Sequence, residues 1–492
     1  MLSRRSYHAV LATVLFCSLP LLAERVPITI LHINDLYEIT PIAGGKEGGL
    51  ARLATVKKQL RKENPRTYMF VAGDVISPSA LGTAKVNGQP LAGEQMIDVL
   101  NSIGLDFATF GNHEFDVSEQ QFKARMKQST AKWLSGNVRD AAGQPFEGIP
   151  DHRVFTVKGT NGGIVRIGIV GVTLNQTLKP WVTYKDALAT AKAQARELRP
   201  KVDILIGLTH LSIADDMRLA KEAPELDMIM GGHEHENIQV WRGVPLRPIF
   251  KADANVRTAY IHRLVYDTVT KRLMIASELR KIDSSTAEDP ATAKLVQQWV
   301  KKGFDAFRSN GFEPEQVVAT VGTALNGKES DVRSSTTNLT QLIARAMFNE
   351  VEGADAAFYN SGSIRIDDEL PAGTVTQYDI IRVLPFGGKV VEVDMKGALL
   401  QRVLDAGWRN RGIGGWLQWH NIARTDAGWT VKGEPLNPDL SYKIATTDFL
   451  LTGGERNIEF LTRQDSGVEK VLEHRDVRFA IIQELKRNPG SM

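Results

Sequence analysis

The chain has 492 residues, enough for two or three domains at about 150 residues each. With 42% hydrophobic and 24% charged residues it fits neither a disordered chain nor a repeat array. Its 60 basic and 57 acidic residues nearly balance at +3, so the chain lacks the basic stripe of a nucleic-acid binder.

In chain order, the N-terminus reads as a secretory signal over residues 1–23. Arg4 and Arg5 make a basic start, residues 9–22 an apolar core, and Ala23 a small residue for cleavage. The apolar core is shorter than the ~20 residues a membrane span needs. The single cysteine, Cys17, lies inside this segment and lacks the small preceding residue of a lipoprotein signal. The expectation is an exported protein, secreted or periplasmic, whose mature chain has no thiol and no membrane attachment.

From residue 28 to about 278, short apolar runs alternate with helical stretches, the pattern of an α/β domain. Helical spacing covers residues 50–62 and 94–103, the second ending near Gly104. Residues 187–198 read as a helix capped by Asp186 and closed by Pro200. The runs 165–172, 204–208 and 228–230 read as buried strands, and 244–250 and 259–267 as meandering β structure. Composition shifts at residues 283–286, and a helix over 291–307 reads as a connector or as the last helix of the first domain. A second α/β region starts near 317, with helices at 338–349 and 396–406 and a strand at 356–359. The expected division is a signal at 1–23, a catalytic domain at 24–282, a linker at 283–316 and a substrate-binding domain at 317–492.

Polar residues suited to metals follow several of these strands. Asp35 comes after 28–30, Asp74 after 69–71, Asn112 within Gly111-Asn112-His113-Glu114-Phe115-Asp116, His210 after 204–208, and His233 and His235 after 228–230. Taken singly, a strand-terminal Asp is more often a turn or cap residue, and a lone His a satisfied polar group. Six such residues in order are another matter, because a parallel sheet gathers its strand ends in one crevice. Asp, Asn and His gathered there make an oxygen and nitrogen ligand set for hard or borderline divalent metals.

The motifs Asn34-Asp35, Gly73-Asp74, Gly111-Asn112-His113-Glu114, Thr209-His210 and Gly232-His233-Glu234-His235 resemble those of the calcineurin-like metallophosphoesterases. In order and spacing they resemble the exported 5′-nucleotidase family, which includes UDP-sugar hydrolases and 2′,3′-cyclic-nucleotide phosphodiesterases. The resemblance implies a β-sandwich flanked by helices, followed by an α/β substrate-binding domain. It also implies two divalent cations (Mn, Zn, Co or Mg) about 3.5–4 Å apart, bridged by Asp74. Asp35 and His235 would bind the first, and Asn112, His210 and His233 the second. His113, oriented by Asp116, would stabilise the phosphoryl group or protonate the leaving oxygen; the alternative is that Asp116 caps a helix starting near Val117.

In the second half, residues 359–365, 384–388 and 447–455 resemble the family's substrate motifs. Carried over, Phe386 and Phe449 would sandwich a base, while Arg333, Asn360, Arg365 and Glu455 would hold ribose and phosphate. Two departures stand out. Tyr37 occupies a position where the family usually has a ligating His, and a phenol ionises only about 3 pH units above neutrality. That leaves a weaker first cation, water in place of the side chain, or preference for another ion. Glu455 stands where the family usually has Asp.

The implied activity is release of phosphate from nucleoside 5′-monophosphates by attack of metal-activated water, in a monomer or homodimer that takes a small-molecule nucleotide and no nucleic acid. The alternatives are a UDP-sugar or 2′,3′-cyclic-nucleotide substrate on the same scaffold, or a nucleotide-binding protein without catalysis.

Overall fold

The first strand, Arg25–Ile33, sets the architecture: every residue in it except Arg25 and Pro27 is buried, because the strand lies inside a sheet covered on both faces. The structure, a computed structural model, describes residues 24–487; the signal expected at 1–23, with Cys17, lies outside the described residues. Arg25–Ile33 pairs in parallel with Thr67–Ala72 and antiparallel with Thr258–Asp267. Phe107–Thr109, Lys132–Leu134 and Leu273–Lys281 complete a six-stranded sheet.

A second six-stranded sheet has Ile164–Thr173, Ile204–His210 and Met228–Gly231 at its centre, paired in parallel. The two sheets face each other across Ile28, Ile30, Phe70, Ile167, Ile206 and Met230. Helix Leu50–Glu63 turns Leu53, Val56 and Leu60 into a second apolar cluster with Met69 and Val71. Helices Ala187–Leu198 and Ile213–Glu222 cover the second sheet through Leu188, Ala195 and Leu219 against Val170, Leu205 and Ile229. This is the expected sandwich between helices. Buried strands on both faces explain the near-continuous apolar runs in the sequence.

Local signals operate where they were expected. Gly104 ends helix Glu94–Ile103 in the left-handed conformation, at φ 83°. Asp186 caps Ala187–Leu198 by accepting from the Ala189 amide. The expected strand at 244–250 begins later, at Arg247, because Gly243 (φ 87°) and the residues after it form the turn from Ile238–Arg242.

The second domain is built on a five-stranded mixed sheet in the order Leu417–His420, Ala356–Asn360, Ser441–Thr447, Lys389–Lys396, Val468–Asp476. Helix Gly397–Arg409 packs Leu400, Val403 and Leu404 on one face. Helices Asn338–Glu350 and Val477–Arg487 pack together on the other.

Helix Pro290–Arg308 joins the halves. Asp289 caps it through Thr292, and Trp299 donates to Asp98 at 2.9 Å in the first domain. At its other end Phe304 and Phe307 meet the ring of Tyr378 in the second. One apolar cluster therefore runs from Leu53 and Met96 through Trp299 and Phe307 to Leu342 and Ile481. Across the junction Arg382, mostly enclosed, lies 3.5 Å from the buried Glu38. Among the described residues no helix is long and apolar enough to cross a membrane.

Candidate metal centre

Parallel pairing brings the ends of Arg25–Ile33, Thr67–Ala72, Phe107–Thr109, Ile204–His210 and Met228–Gly231 to one edge of the sandwich. The loops that leave them are tightly shaped. Asp35, Asp74, His233 and His235 all sit at positive φ, at 54°, 58°, 93° and 60°. That conformation is costly for residues with a Cβ and collects at functional sites. Glycines make room beside them: a Cβ on Gly111 would overlap the Asp74 carboxylate, and one on Gly73 would meet the His210 ring.

Asp35 and Asp74 are fully buried. Asp35 accepts from Asn34 Nδ2 at 2.7 Å and from the His233 amide at 2.9 Å. Asp74 accepts from the His113 amide at 2.8 Å. His210 donates Nδ1–H to the Ala72 carbonyl at 2.8 Å, so its lone pair lies on Nε2, 3.3 Å from Asp74 and 4.0 Å from Asp35. Ligand atoms of Asp35, Asp74 and His210 fall within 4.8 Å of one another, the one such compact group among the described residues.

Two observations test whether this set fits a cation. His210 Nε2 and Asn112 Oδ1 are buried acceptors with no hydrogen-bond partner in the protein, which is costly unless something else satisfies them. The charges agree. Burial works against it, yet Asp74 and Asp35 raise the His210 ring to about 9, so without a cation the carboxylates hold a proton on Nε2 at the place where a cation would replace it. Both carboxyls are held below their usual range against burial, chiefly by His210. Burial, aided by His210, drives His233 down to about 3, keeping it neutral and able to ligate. The set fits a divalent cation.

His235 is positioned from the second domain. Asp367 accepts from its Nδ1 at 2.6 Å, which turns Nε2 toward Asp35 at 3.4 Å and the Tyr37 hydroxyl at 2.8 Å. His113 and Asp116 form the expected pair at 2.7 Å. The helix-cap alternative for Asp116 does not apply: Ser118 caps Glu119–Gln128 in a reciprocal pairing with Gln121. Burial opposes it, but His113 holds the Asp116 carboxyl below its ordinary range. Arg365 reaches across from the second domain and donates to His113 Nε2 at 2.8 Å. Asp35, Asp74, Asn112, His113, Asp116, His210, His233, His235 and Arg365 thus share one site.

The remaining residues line the second domain. Asn360 is buried and donates to Glu455 at 2.7 Å, so the longer acid is engaged with a neighbour of the expected ribose site. Arg333 pairs with Glu329. Phe386 and Phe449 are 56% and 44% exposed, so neither is a core residue. Phe386 and Asp116 line the same cavity of about 580 Å³ between the domains, along with Ser77 and Arg478.

Sequence reasoning passed over three contributors. Glu114, fully buried, accepts from the amides of Asp74 and Val75 at 3.0 and 2.6 Å and from Gly111, tying two ligand loops together. It sits inside the motif that was singled out. Asp367 lies two residues past Arg365. Lys251 ends a strand and is fully buried; it donates to the Leu211 and Gly232 carbonyls at 2.6 and 2.8 Å and pairs with Asp216 and Glu234. It holds the loops that carry His210 and His233, and only its buried setting in an apolar run hinted at that.

Fold and site together define a metal-dependent phosphoesterase. Residues 28–237 match the calcineurin-like phosphoesterase model, and residues 317–463 match the 5′-nucleotidase C-terminal domain. Protein UshA of Yersinia enterocolitica is 26% identical over 495 residues, covering 87% of this chain and 86% of that protein. A 5′-nucleotidase of Vibrio cholerae is 26% identical over 491 residues, covering 87% and 85%. Among solved structures, a 5′-nucleotidase precursor from Thermus thermophilus superposes with a TM-score of 0.76 at 21% identity, over 95% of this chain and 97% of that one. A sulfate thiohydrolase from the same species, SoxB, shares the fold at a TM-score of 0.69 and 14% identity, over 94% of each chain. The chain belongs to the family that joins a calcineurin-like phosphoesterase domain to a 5′-nucleotidase C-terminal domain.

Proposed function

We propose that the protein hydrolyses nucleoside 5′-monophosphates, with two cations at the strand-end cluster and the nucleoside held by the second domain. The observation that carries this reading is the meeting of both domains at one point: Arg365 bonded to His113, and Asp367 to His235. A substrate bridging the domains would put its phosphate beside these groups and its base in the cleft. Asp35 and His235 would hold one cation, Asn112, His210 and His233 the other, and Asp74 both. Such ions supply charge that polarises a phosphoryl oxygen and acidifies water.

The chain's own groups do the rest. Arg365 is suited to a phosphate because its planar fork makes paired, charge-assisted bonds. Asp116 accepts from His113 Nδ1, which fixes the ring so that Nε2, once Arg365 turns from it to the phosphate, can take up a proton and pass it to the leaving nucleoside oxygen. Phe386 and Phe449, exposed without obvious structural need, suit stacking on a base. Asn360 and Glu455 lie ready for the ribose. The basic, apolar start of the chain supports action outside the cytoplasm, in a periplasm or the surrounding medium.

The test is phosphate release by the purified protein, stripped and reloaded with Mn²⁺, Zn²⁺, Co²⁺ or Mg²⁺. The panel comprises AMP, other monophosphates, ADP, ATP, UDP-glucose and 2′,3′-cyclic AMP. Metal-dependent turnover highest with monophosphates is expected. Turnover of the cyclic or UDP-sugar substrate alone would move the assignment to that bond, and nucleotide binding without turnover under any metal would overturn it.

A further inference from the structure

The parallel strands that end at the metal centre begin at the opposite edge of the sandwich, and three turns cover that edge. They are residues 159–163, 243–246 and 268–272, each closing a hairpin. The turns are tied into one face. Glu24 accepts from the Asn161 and Gly163 amides at 3.0 and 2.6 Å, and its carbonyl accepts from the Thr268 amide at 3.0 Å. Leu246 of the second turn and Leu273, just past the third, line one cavity of about 320 Å³.

Each turn raises an apolar side chain into solvent. Val244 is 92% exposed, Leu246 66%, Val269 52%, and Ile164 beside the first turn 52%. Trp241, at 45%, stands next to the second. The acids here are turned inward. Glu24 and Asp267 bind turn amides, Asp203 the Arg166 amide and Tyr266, and Asp227 the Leu205 amide and Arg199. Lys158, Arg166, Lys271 and Arg272 are exposed, with no acid within ion-pair distance among the described residues.

We propose that this face docks on an anionic lipid bilayer, its apolar tips entering the headgroup layer and its cations meeting lipid phosphates. Shape, charge and chain entry all select that occupant. The first and second turns lie four strand spacings apart in one sheet, about 20 Å, which a flat layer spans and a small ligand does not. Cations beside exposed aliphatic and indole side chains suit a surface that lies on anionic headgroups. Residues 9–22, an apolar run after Arg4 and Arg5, join the described chain at Glu24, within this face. A run of that kind partitions toward lipid and brings this face with it. The metal edge then lies a strand length away, about 23 Å for seven residues, and faces away from the lipid. Hydropathy along the chain gives no sign of the face, because its apolar residues are single tips on separate turns.

The experiment is flotation of the purified full chain with vesicles of phosphatidylcholine alone or in equimolar mixture with phosphatidylglycerol. Wild type is compared with the double variants Val244→Ser, Leu246→Ser and Lys271→Glu, Arg272→Glu, all three treated alike with respect to residues 1–23. Affinity for the mixed vesicles is expected to exceed that for phosphatidylcholine, to fall with added salt, and to drop by about tenfold or more in each variant. Equal binding by wild type and folded variants, or no binding to the mixed vesicles, would overturn the proposal. Where a variant fails to fold by circular dichroism, or residues 1–23 bind every vesicle and mask the difference, hydrogen exchange of the wild type decides. Slower exchange at Val244, Leu246 and residues 268–272 on the mixed vesicles supports the docking face, and unchanged exchange overturns it. Slowing that follows protein concentration without vesicles, with a dimer mass by ultracentrifugation, would give the face to a second copy of the chain and also overturn it.

Discussion

Asp367 offers the sharpest test of how the two domains cooperate. It lies in the second domain, yet its carboxylate accepts from His235 Nδ1 at 2.6 Å in the first, with 12% of the His235 side chain and 15% of the Asp367 side chain exposed. The other carboxylate oxygen accepts from the Glu329 amide at 2.7 Å. Asp367→Asn is the informative change. Its amide oxygen can keep the Glu329 bond, and Asn tolerates the positive φ of 41° at this position better than Ala does. What it loses is the charge behind His235. A buried hydrogen bond to a charged group contributes about 1.5–3 kcal/mol, and loss of a partner behind a ligating His lowers metal affinity by about 10–100-fold. Those two figures agree, since a tenfold change is about 1.4 kcal/mol. Calorimetric titration of the metal-stripped protein with Mn²⁺ should show one site weakened by that factor and the other unchanged. Affinities within about twofold of wild type at both sites would refute the claim that the second domain helps to hold the first cation.

Four further outcomes follow from the structure. Asp74→Asn should abolish turnover and reduce bound metal, read by phosphate release and elemental analysis, because this carboxylate lies between the ligand groups. Phe386→Ala and Phe449→Ala should raise KM for nucleotides with little change in Tm, since both rings are exposed and stacking contributes about 1–3 kcal/mol per base. Lys251→Met should lower stability by about 3–5 kcal/mol, the effect of stripping a buried ion pair of one partner, and thermal unfolding should report it even in the absence of metal. The protein should also weaken in acid through His32, a fully buried ring that burial drives from 6.5 to about 4. The folded state resists its protonation, so its stabilising effect is complete above pH 6.5 and is lost as pH falls toward about 4. Tm measured across that range should fall less steeply in His32→Gln.

Much of this protein could be read from its sequence because the signals were local. Helices Glu94–Ile103 and Ala187–Leu198 begin and end where apolar spacing, Asp186 and Gly104 place them. The strand-end Asp, Asn and His residues were legible because parallel strands gather their ends at one edge whatever lies between them. What distance in sequence hides is contact. Arg365 on His113 and Asp367 on His235 join residues 252 and 132 positions apart, and no periodicity carries that information. Glu114 and Lys251 look like ordinary charged residues until burial turns each into a clamp on two loops. Tyr37 is the clearest case. Its side-chain chemistry alone says nothing of its surroundings, whereas folding sets two carboxylates and an imidazole about 3 Å from its oxygen. The sequence by itself determined the elements and the donor set; the tertiary structure decided which atoms face which, because that depends on how strands and domains pack.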